Sequence, residues 1–255
     1  MRKAGERNPY LVPALERGIR ILELLSESPN GLTMPEMSKL GLPPASLYRM
    51  LVTLTELRYV VREEGDRYRL SRKLLSLAYK SVDEHGIAEK AIGTMRELRD
   101  RSGETVLLAV LYGNEGIVIE EAVSSQAVKV SVRIGHHFPL HTAAPAKAIL
   151  AQLPEEERNR LLESIVYTRF TPQTLPNRAA LEAELRTVRE CGYSLARGEE
   201  LEEIRCAGAA ILNHENYPVA AVWISGPASR LDPSALRRCG EMVRESAEKI
   251  SRKIS

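Results

Sequence analysis

Apolar residues in the first quarter of the chain recur with a helical period. Leu15, Ile19, Leu22 and Leu25 fall at i, i+4, i+7 and i+10, and Ile21 and Leu24 widen the stripe, which predicts an amphipathic helix over 12–26. Ser28-Pro-Asn-Gly31 ends it with turn chemistry, and Leu32–Thr33 has room for a very short strand. Thr33 and Glu36 read as a capping box opening a short helix from Met34 to Leu40, which Gly41 closes. Pro44 suits the first position of a third helix, and Leu47, Leu51, Leu54 and Leu57 keep one of its faces apolar. Ser46, Arg49 and Thr53 fall on the other side, flanked by Ala45 and Tyr48. Helix, short helix, glycine-bearing turn and helix make a helix-turn-helix.

Two strand-like runs follow, Tyr59–Arg62 and Arg67–Ser71, joined through Gly65-Asp66. They predict a two-stranded wing. Its second strand alternates Arg67 and Arg69 with Tyr68 and Leu70, so one side packs while two guanidinium groups face outward. A helix continues over Arg72–Lys80, and a further one is predicted over Ile87–Ser102, with the domain boundary near Val82–Gly86.

From Glu104 the period changes. Thr105–Tyr112, Ile117–Val123 and the alternating Val128–Ile134 read as strands. Helices are predicted over Thr142–Gln152, Pro154–Ser164 and Arg178–Cys191. Ile204–Leu212 and Pro218–Ile224 form a hairpin, and Asp232 caps a last helix with Pro233 at its first position. Strands, then helices, then strands again predict an α+β fold with an antiparallel sheet. The expected boundaries are a flexible tail over 1–10, a winged helix-turn-helix over 11–78, a linker over 79–86 and a second domain over 87–255.

Charge sharpens this division. The 255 residues carry a net charge of +2, but residues 1–78 hold 13 Lys+Arg against 9 Asp+Glu, leaving 23 against 25 in the remainder. The basic excess sits with the helix-turn-helix and suits an anionic partner there. A helix fits the major groove with the residues near its N-terminal end reaching base edges, so Pro44, Ala45, Ser46, Tyr48, Arg49 and Thr53 are the expected DNA-reading set, with Arg67 and Arg69 on phosphate. No apolar run approaches the roughly 20 residues of a membrane span, and the charged N-terminus has no apolar segment behind it. The expectation is a cytoplasmic protein with no membrane partner. Three widely spaced cysteines, Cys191, Cys206 and Cys239, suit reduced thiols rather than a disulfide framework.

Enzymatic signatures are missing: there is no G-x-S-x-G, H-E-x-x-H, Walker loop or G-x-G-x-x-G, and Ser246-Ala-Glu-Lys249 matches S-x-x-K by letter only. No catalytic residue and no cofactor is expected. His136, His137 and His141 cluster, but Pro139 argues against a helix that would align them, so a loop before a helix is expected rather than a metal site. Cys206 lies in an apolar strand without a local base and reads as a packed or pocket-lining thiol. Glu199, Glu200, Glu202 and Glu203 form either a solvated loop, the default, or a rim against a partner subunit.

Four stretches then carry a resemblance: Ala14–Leu22, Leu42-Pro-Pro-Ala-Ser-Leu-Tyr-Arg-Met-Leu51, Pro139-Leu-His-Thr-Ala-Ala-Pro-Ala-Lys-Ala-Ile-Leu-Ala151, and Cys206 through the Trp-Ile-Ser-Gly-Pro run ending at Pro227. In this order and spacing the chain resembles the IclR family of bacterial transcriptional regulators over essentially its full length. The resemblance implies a GAF-like effector domain, a homodimer or dimer of dimers, and double-stranded DNA with a near-palindromic operator as partner. It also implies an effector pocket at Ala144, Pro145, Ala196, Cys206, Trp223 and Ser225. In the family, backbone N–H groups of the loop at Ala144 and Pro145 bind a carboxylate. This sequence departs there, since Pro145 has no N–H, Ala196 replaces an acidic residue of some members and Trp223 a serine of others. An apolar or aromatic metabolite is therefore expected, with an acidic group on Ser225 and the Ala144 amide. The competing reading is a small-molecule sensor or enzyme whose N-terminal helices mediate protein contacts only.

Overall fold

The computed structural model describes residues 10–74, 77 and 86–254. Contacts divide the chain into two compact units, residues 1–84 and 85–255. The expected tail, most of the Arg72–Lys80 helix and the linker lie outside the described residues.

In the first unit, α1 (Pro13–Ser26), a 3-10 turn (Pro35–Leu40) and α2 (Pro44–Glu56) precede the hairpin of β1 (Val60–Glu63) and β2 (Arg67–Leu70). Its core is Ile21, Leu24, Leu25, Met37, Leu47, Leu51, Val60 and Tyr68. The short helix is 3-10 rather than α. Half of the expected capping box forms: the Thr33 amide and hydroxyl both donate to Glu36 Oε2, at 2.7 and 2.9 Å. The α1 stripe is shifted from its expected centre. Leu15 and Ile19 are exposed, and burial starts at Ile21 because only the second half of α1 lies against the core. Leu32 forms an isolated bridge with Tyr68, the very short strand expected there.

The second unit is a six-stranded antiparallel sheet in the order β5-β4-β3-β8-β7-β6. Its strands are β3 (Thr105–Tyr112), β4 (Glu115–Ala122), β5 (His137–Pro139), β6 (Ser194–Ala196), β7 (Ile204–Leu212) and β8 (Pro218–Pro227). Its helices are α3 (Ile87–Ser102), α4 (Ala144–Gln152), α5 (Glu155–Ser164), α6 (Arg178–Cys191) and α7 (Pro233–Ile254). Both faces of the sheet are covered. Val106, Leu108, Val222 and Ile224 pack under α3 and α7, while Leu107, Ala109, Ala221 and Trp223 face α4 and α6. That is why β3 reads as a continuous apolar run instead of an alternation. Asp232 caps α7 by accepting from the Ser234 and Ala235 amides at 2.8 and 2.9 Å.

Two expectations are corrected. Val128–Ile134 makes no strand ladder; it runs along the sheet edge, held by Thr105 donating to the Val130 carbonyl and the Val132 amide donating to Glu121. Only Val130 and Val132 of its alternating residues are half-buried. The edge position beside β4 is taken by β5, His137–Pro139, where the sequence predicts loop because three residues carry too little periodicity to register.

α4 approaches the sheet unusually closely. Four of its eight buried residues are alanines, and β7 offers Gly208, where an added Cβ would lie 3.0 Å from the Ala144 carbonyl carbon and 3.1 Å from Pro145 N. Main chain cannot yield there as a flexible side chain would. Gly208→Val is expected to lower stability by about 1–3 kcal/mol through overpacking, read as a fall in the urea midpoint with the m-value unchanged.

Candidate functional site

The first candidate surface is built on α2. Pro44 sits in its first turn, and Pro44, Ala45, Tyr48, Arg49 and Thr53 are exposed while Ser46 is half-buried. Leu47 and Leu51 hold the opposite face in the core, so the exposed row follows from the helical period. Thr53 donates to the Arg49 carbonyl at 2.9 Å, leaving its hydroxyl oxygen as an acceptor.

The wing carries a correction. Arg67 was expected to offer a free guanidinium, but its Nε donates to the Asn30 carbonyl at 3.1 Å and its terminal nitrogen to the Gly31 carbonyl at 2.8 Å. The same nitrogen lies 3.4 Å from Glu36. Alternation along β2 did place the side chain outward; what the sequence could not show is that the 28–31 turn folds against it. Hydrogen bonds from Thr33, then Arg67, hold the Glu36 carboxyl below its ordinary range. Arg69 is exposed and lies 3.3 Å from Glu63 across the hairpin, a surface pair worth about 0–1 kcal/mol. Arg62, which the sequence reading passed over, is exposed on β1, donates to Asp66 and lies 5.9 Å from the centre of the Tyr68 ring.

The second candidate site lies in the C-terminal unit, between the N-terminal end of α4 and the sheet. All six expected effector residues, Ala144, Pro145, Ala196, Cys206, Trp223 and Ser225, line a single cavity of about 150 Å³. Val118, Val130, Val132, Phe138, Leu201 and Ile204 complete its apolar walls. Trp223 is buried, with Phe138 edge-on at 5.8 Å. Cys206 Sγ donates to Ser225 Oγ at 3.3 Å. Burial pushes the Cys206 thiol up to about 11, with Glu199 and Glu200 adding to the rise. A thiol so raised stays protonated at neutral pH, which removes the nucleophilic form.

α4 begins at Ala144 with Ala143 as its N-cap, and the Lys147 amide closes the first intrahelical bond on the Ala143 carbonyl. The preceding first-turn amides of Ala144 and Ala146 are free of intrahelical partners, and Pro145 contributes none. The residues that place the facing wall were not legible as such. Lys147, fully buried, donates to the Leu195 carbonyl at 2.5 Å and to Glu199 Oε1 at 2.9 Å, with Glu184 at 3.6 Å. Glu199 also accepts from the Arg197 amide. Thr171 donates to the Gly198 carbonyl, Thr174 to the Glu199 carbonyl, and Thr142 to Glu200 Oε2 at 2.9 Å. The default reading of 199–203 as a solvated acidic loop is thus corrected at its first two positions: Glu199 is buried and both Glu199 and Glu200 line the cavity. A loop is the site of this burial because Lys147 stands beneath it; an isolated buried carboxylate would not be tolerated.

The three histidines disperse. His136 lines the cavity from an exposed position, His137 Nδ1 lies 2.9 Å from Glu115 and His141 is buried, donating from Nε2 to the Thr168 carbonyl at 3.0 Å. They form no common ligand set among the described residues.

Comparison with known proteins agrees with this geometry. The family described as "IclR helix-turn-helix domain" matches residues 14–64, and "Bacterial transcriptional regulator IclR C-terminal" matches 79–252. The chain is 36% identical to the HTH-type transcriptional regulator XynR of Escherichia coli K12 over 96% of its own length and 98% of that protein's. It is 34% identical to the HTH-type transcriptional repressor AllR of Klebsiella pneumoniae, covering 98% and 93% of the two chains. The crystal structure of Thermotoga maritima IclR superimposes with a TM-score of 0.80 at 30% identity, covering 95% and 98%.

The buried pair gives a test independent of any ligand. Lys147→Met strands two carboxylates around an apolar side chain and is expected to cost about 3–5 kcal/mol in urea unfolding. Adding Glu199→Gln removes the nearer uncompensated charge and recovers roughly half of that loss. A double variant as unstable as the sum of its singles contradicts the pairing.

Proposed function

The chain belongs to the IclR family of bacterial transcriptional regulators, with an N-terminal helix-turn-helix DNA-binding domain and a C-terminal effector-binding domain, and on that premise we propose how it reads DNA and what it senses. The DNA-binding domain spans 11–78, the linker 79–86 and the effector domain 87–255. α2 enters the major groove with Ala45, Ser46, Tyr48 and Arg49 toward base edges and Pro44 and Thr53 at the margins. Arg69 meets phosphate, joined by Arg62. Arg67 is left out of this set, since the backbone of the 28–31 turn already holds it.

The single observation that carries the effector reading is the convergence of six residues, scattered from 144 to 225, on one cavity beside the only tryptophan of the sequence. Apolar cavities of this size accept a single benzene-sized ring. The effector is a one-ring apolar or aromatic metabolite packed on Trp223, and its binding controls operator affinity.

One recognition helix spans few base pairs, too few for a useful specificity ratio in a genome. The working species is therefore a homodimer, or a dimer of dimers, on a near-palindromic operator. The relatives are transcriptional regulators rather than enzymes, and this protein catalyses no reaction. It works in the cytoplasm, where its DNA is; no helix among the described residues is long and apolar enough to cross a membrane. The reading in which the N-terminal helices serve protein contacts only is not favoured, because the matched family description over 14–64 is a helix-turn-helix of DNA-binding regulators.

Gel shifts with the DNA upstream of its own gene test the assignment. Arg49→Ala is expected to cost about 1–3 kcal/mol on the specific site. Arg69→Ala should weaken binding to all sequences and lower the salt slope by about 1. Arg67→Ala should instead lower the thermal midpoint of the N-terminal unit. Native affinity in the Arg49→Ala, Arg69→Ala double variant, with its circular dichroism unchanged, refutes the proposed DNA face.

A further inference from the structure

The charge distribution around the effector cavity points to a ligand class, and this step rests on the effector-pocket reading above. Among the described residues, no lysine or arginine lines the cavity. The charged side chains that line it are Glu199 and Glu200, and His136 reaches it from an exposed position. Lys147 lies behind the wall, already within 4.0 Å of two carboxylates, Glu199 at 2.9 Å and Glu184 at 3.6 Å. Glu184 is shared with Arg197 at 3.3 Å, so this cluster is balanced before any ligand arrives.

Glu200 differs from Glu199 in what it leaves unused. Oε2 accepts from Thr142, and Thr142 stands one position before the α4 N-cap Ala143. The protein's own carboxylate therefore sits beside the partial positive charge of a helix N-terminus, where a ligand carboxylate would otherwise be favoured. Oε1 of Glu200 has acceptor capacity left over. Ser225, the remaining hydroxyl, accepts from Cys206 and so retains its own proton for a ligand acceptor. Glu199 is already paired with Lys147, so Glu200 is the carboxylate left to repel a ligand carboxylate and attract a donor, and the repulsion is felt at low effective dielectric.

We propose that Glu200 selects the effector: the ligand is a single-ring compound whose polar end is a hydrogen-bond donor, a hydroxyl or a protonated amine, and not a free carboxylate. The ring packs on Trp223 and Phe138, the donor meets Glu200 Oε1, and a neutral acceptor on the ligand can use Ser225. This replaces the acidic group expected from sequence, which took account of the missing Pro145 amide but could not see Glu200 turned inward.

The probes are benzylamine, benzyl alcohol and benzoate, which share a ring and differ in the polar end. Each is titrated against the full-length protein while following the emission of Trp223, with the Glu200→Gln variant run in parallel. Benzylamine and benzyl alcohol are expected to shift the emission with dissociation constants at least about tenfold below that of benzoate. In Glu200→Gln the benzylamine constant rises about tenfold, the benzoate constant falls, and benzyl alcohol moves least, since a glutamine oxygen still accepts. Benzoate binding tighter than the other two in the native protein overturns the proposal, as does an unchanged ranking in the variant; in both cases the pocket itself stands. If none of the three perturbs Trp223, the pocket reading fails and the ligand class with it. Glu200→Gln is isosteric at a half-buried position, and a native circular dichroism spectrum confirms that altered binding is not lost folding. Lys129→Gln, on the exposed edge segment outside the cavity, serves as a charge-changing control and should leave all three constants unchanged.

Discussion

The C-terminal unit depends on one buried ammonium. Lys147 projects from an otherwise apolar helix into a space where water cannot follow, and it is tolerable only because Glu199 and the Leu195 carbonyl meet it. Replacement of such a pair by apolar residues is often neutral or stabilising, so stability alone does not account for it. Its effect is positional: α4, β6 and the loop after Ala196 are fixed to one another by a contact that has one satisfactory geometry. The cavity between them takes its outline from that constraint, and the threonines at 142, 171 and 174 fasten the loop at successive backbone and side-chain oxygens.

The N-terminal unit uses an arginine in the same manner at its surface. Arg67 ties β2 to the turn between α1 and the 3-10 segment, and Glu36, whose carboxylate is shared with Thr33, completes the clasp. A small domain whose core holds eight buried residues among the described ones has little margin, so charge-assisted hydrogen bonds to main chain help to orient the hairpin. The basic residues of the wing consequently divide into one that builds it and others that remain on its surface.

The sequence made most of the architecture legible because its signals are local. α3 and α6 appeared at their observed limits, and β3 and β7 were recognisable as strands, since period and capping glycines lie within a dozen residues. What escaped was decided by partners distant in the chain. β5 is a strand only because β4 presents an edge to it. Val128–Ile134 alternates as a strand should, yet Thr105 and Glu121 hold it by side chains where a ladder was expected. Glu199 looked like one of four similar acidic residues; nothing nearby tells which of them meets a lysine 52 positions earlier. The six pocket positions were found through likeness to relatives, whereas Glu200 and Lys147 required the coordinates.

The contact between α4 and Gly208 bears on how such pockets diverge. One wall of the cavity is set by main chain resting on main chain, where the first turn of the helix, Ala144 and Pro145, meets a glycine opposite. There is little side chain there to trim, and a side chain added at Gly208 meets main chain at Ala144 and Pro145. Novelty is thereby channelled to the remaining walls, where the side chains of Val118, Val130, Val132, Phe138 and Trp223 set the shape a ligand meets. A ligand site built this way is tuned through the side chains of the walls that have them.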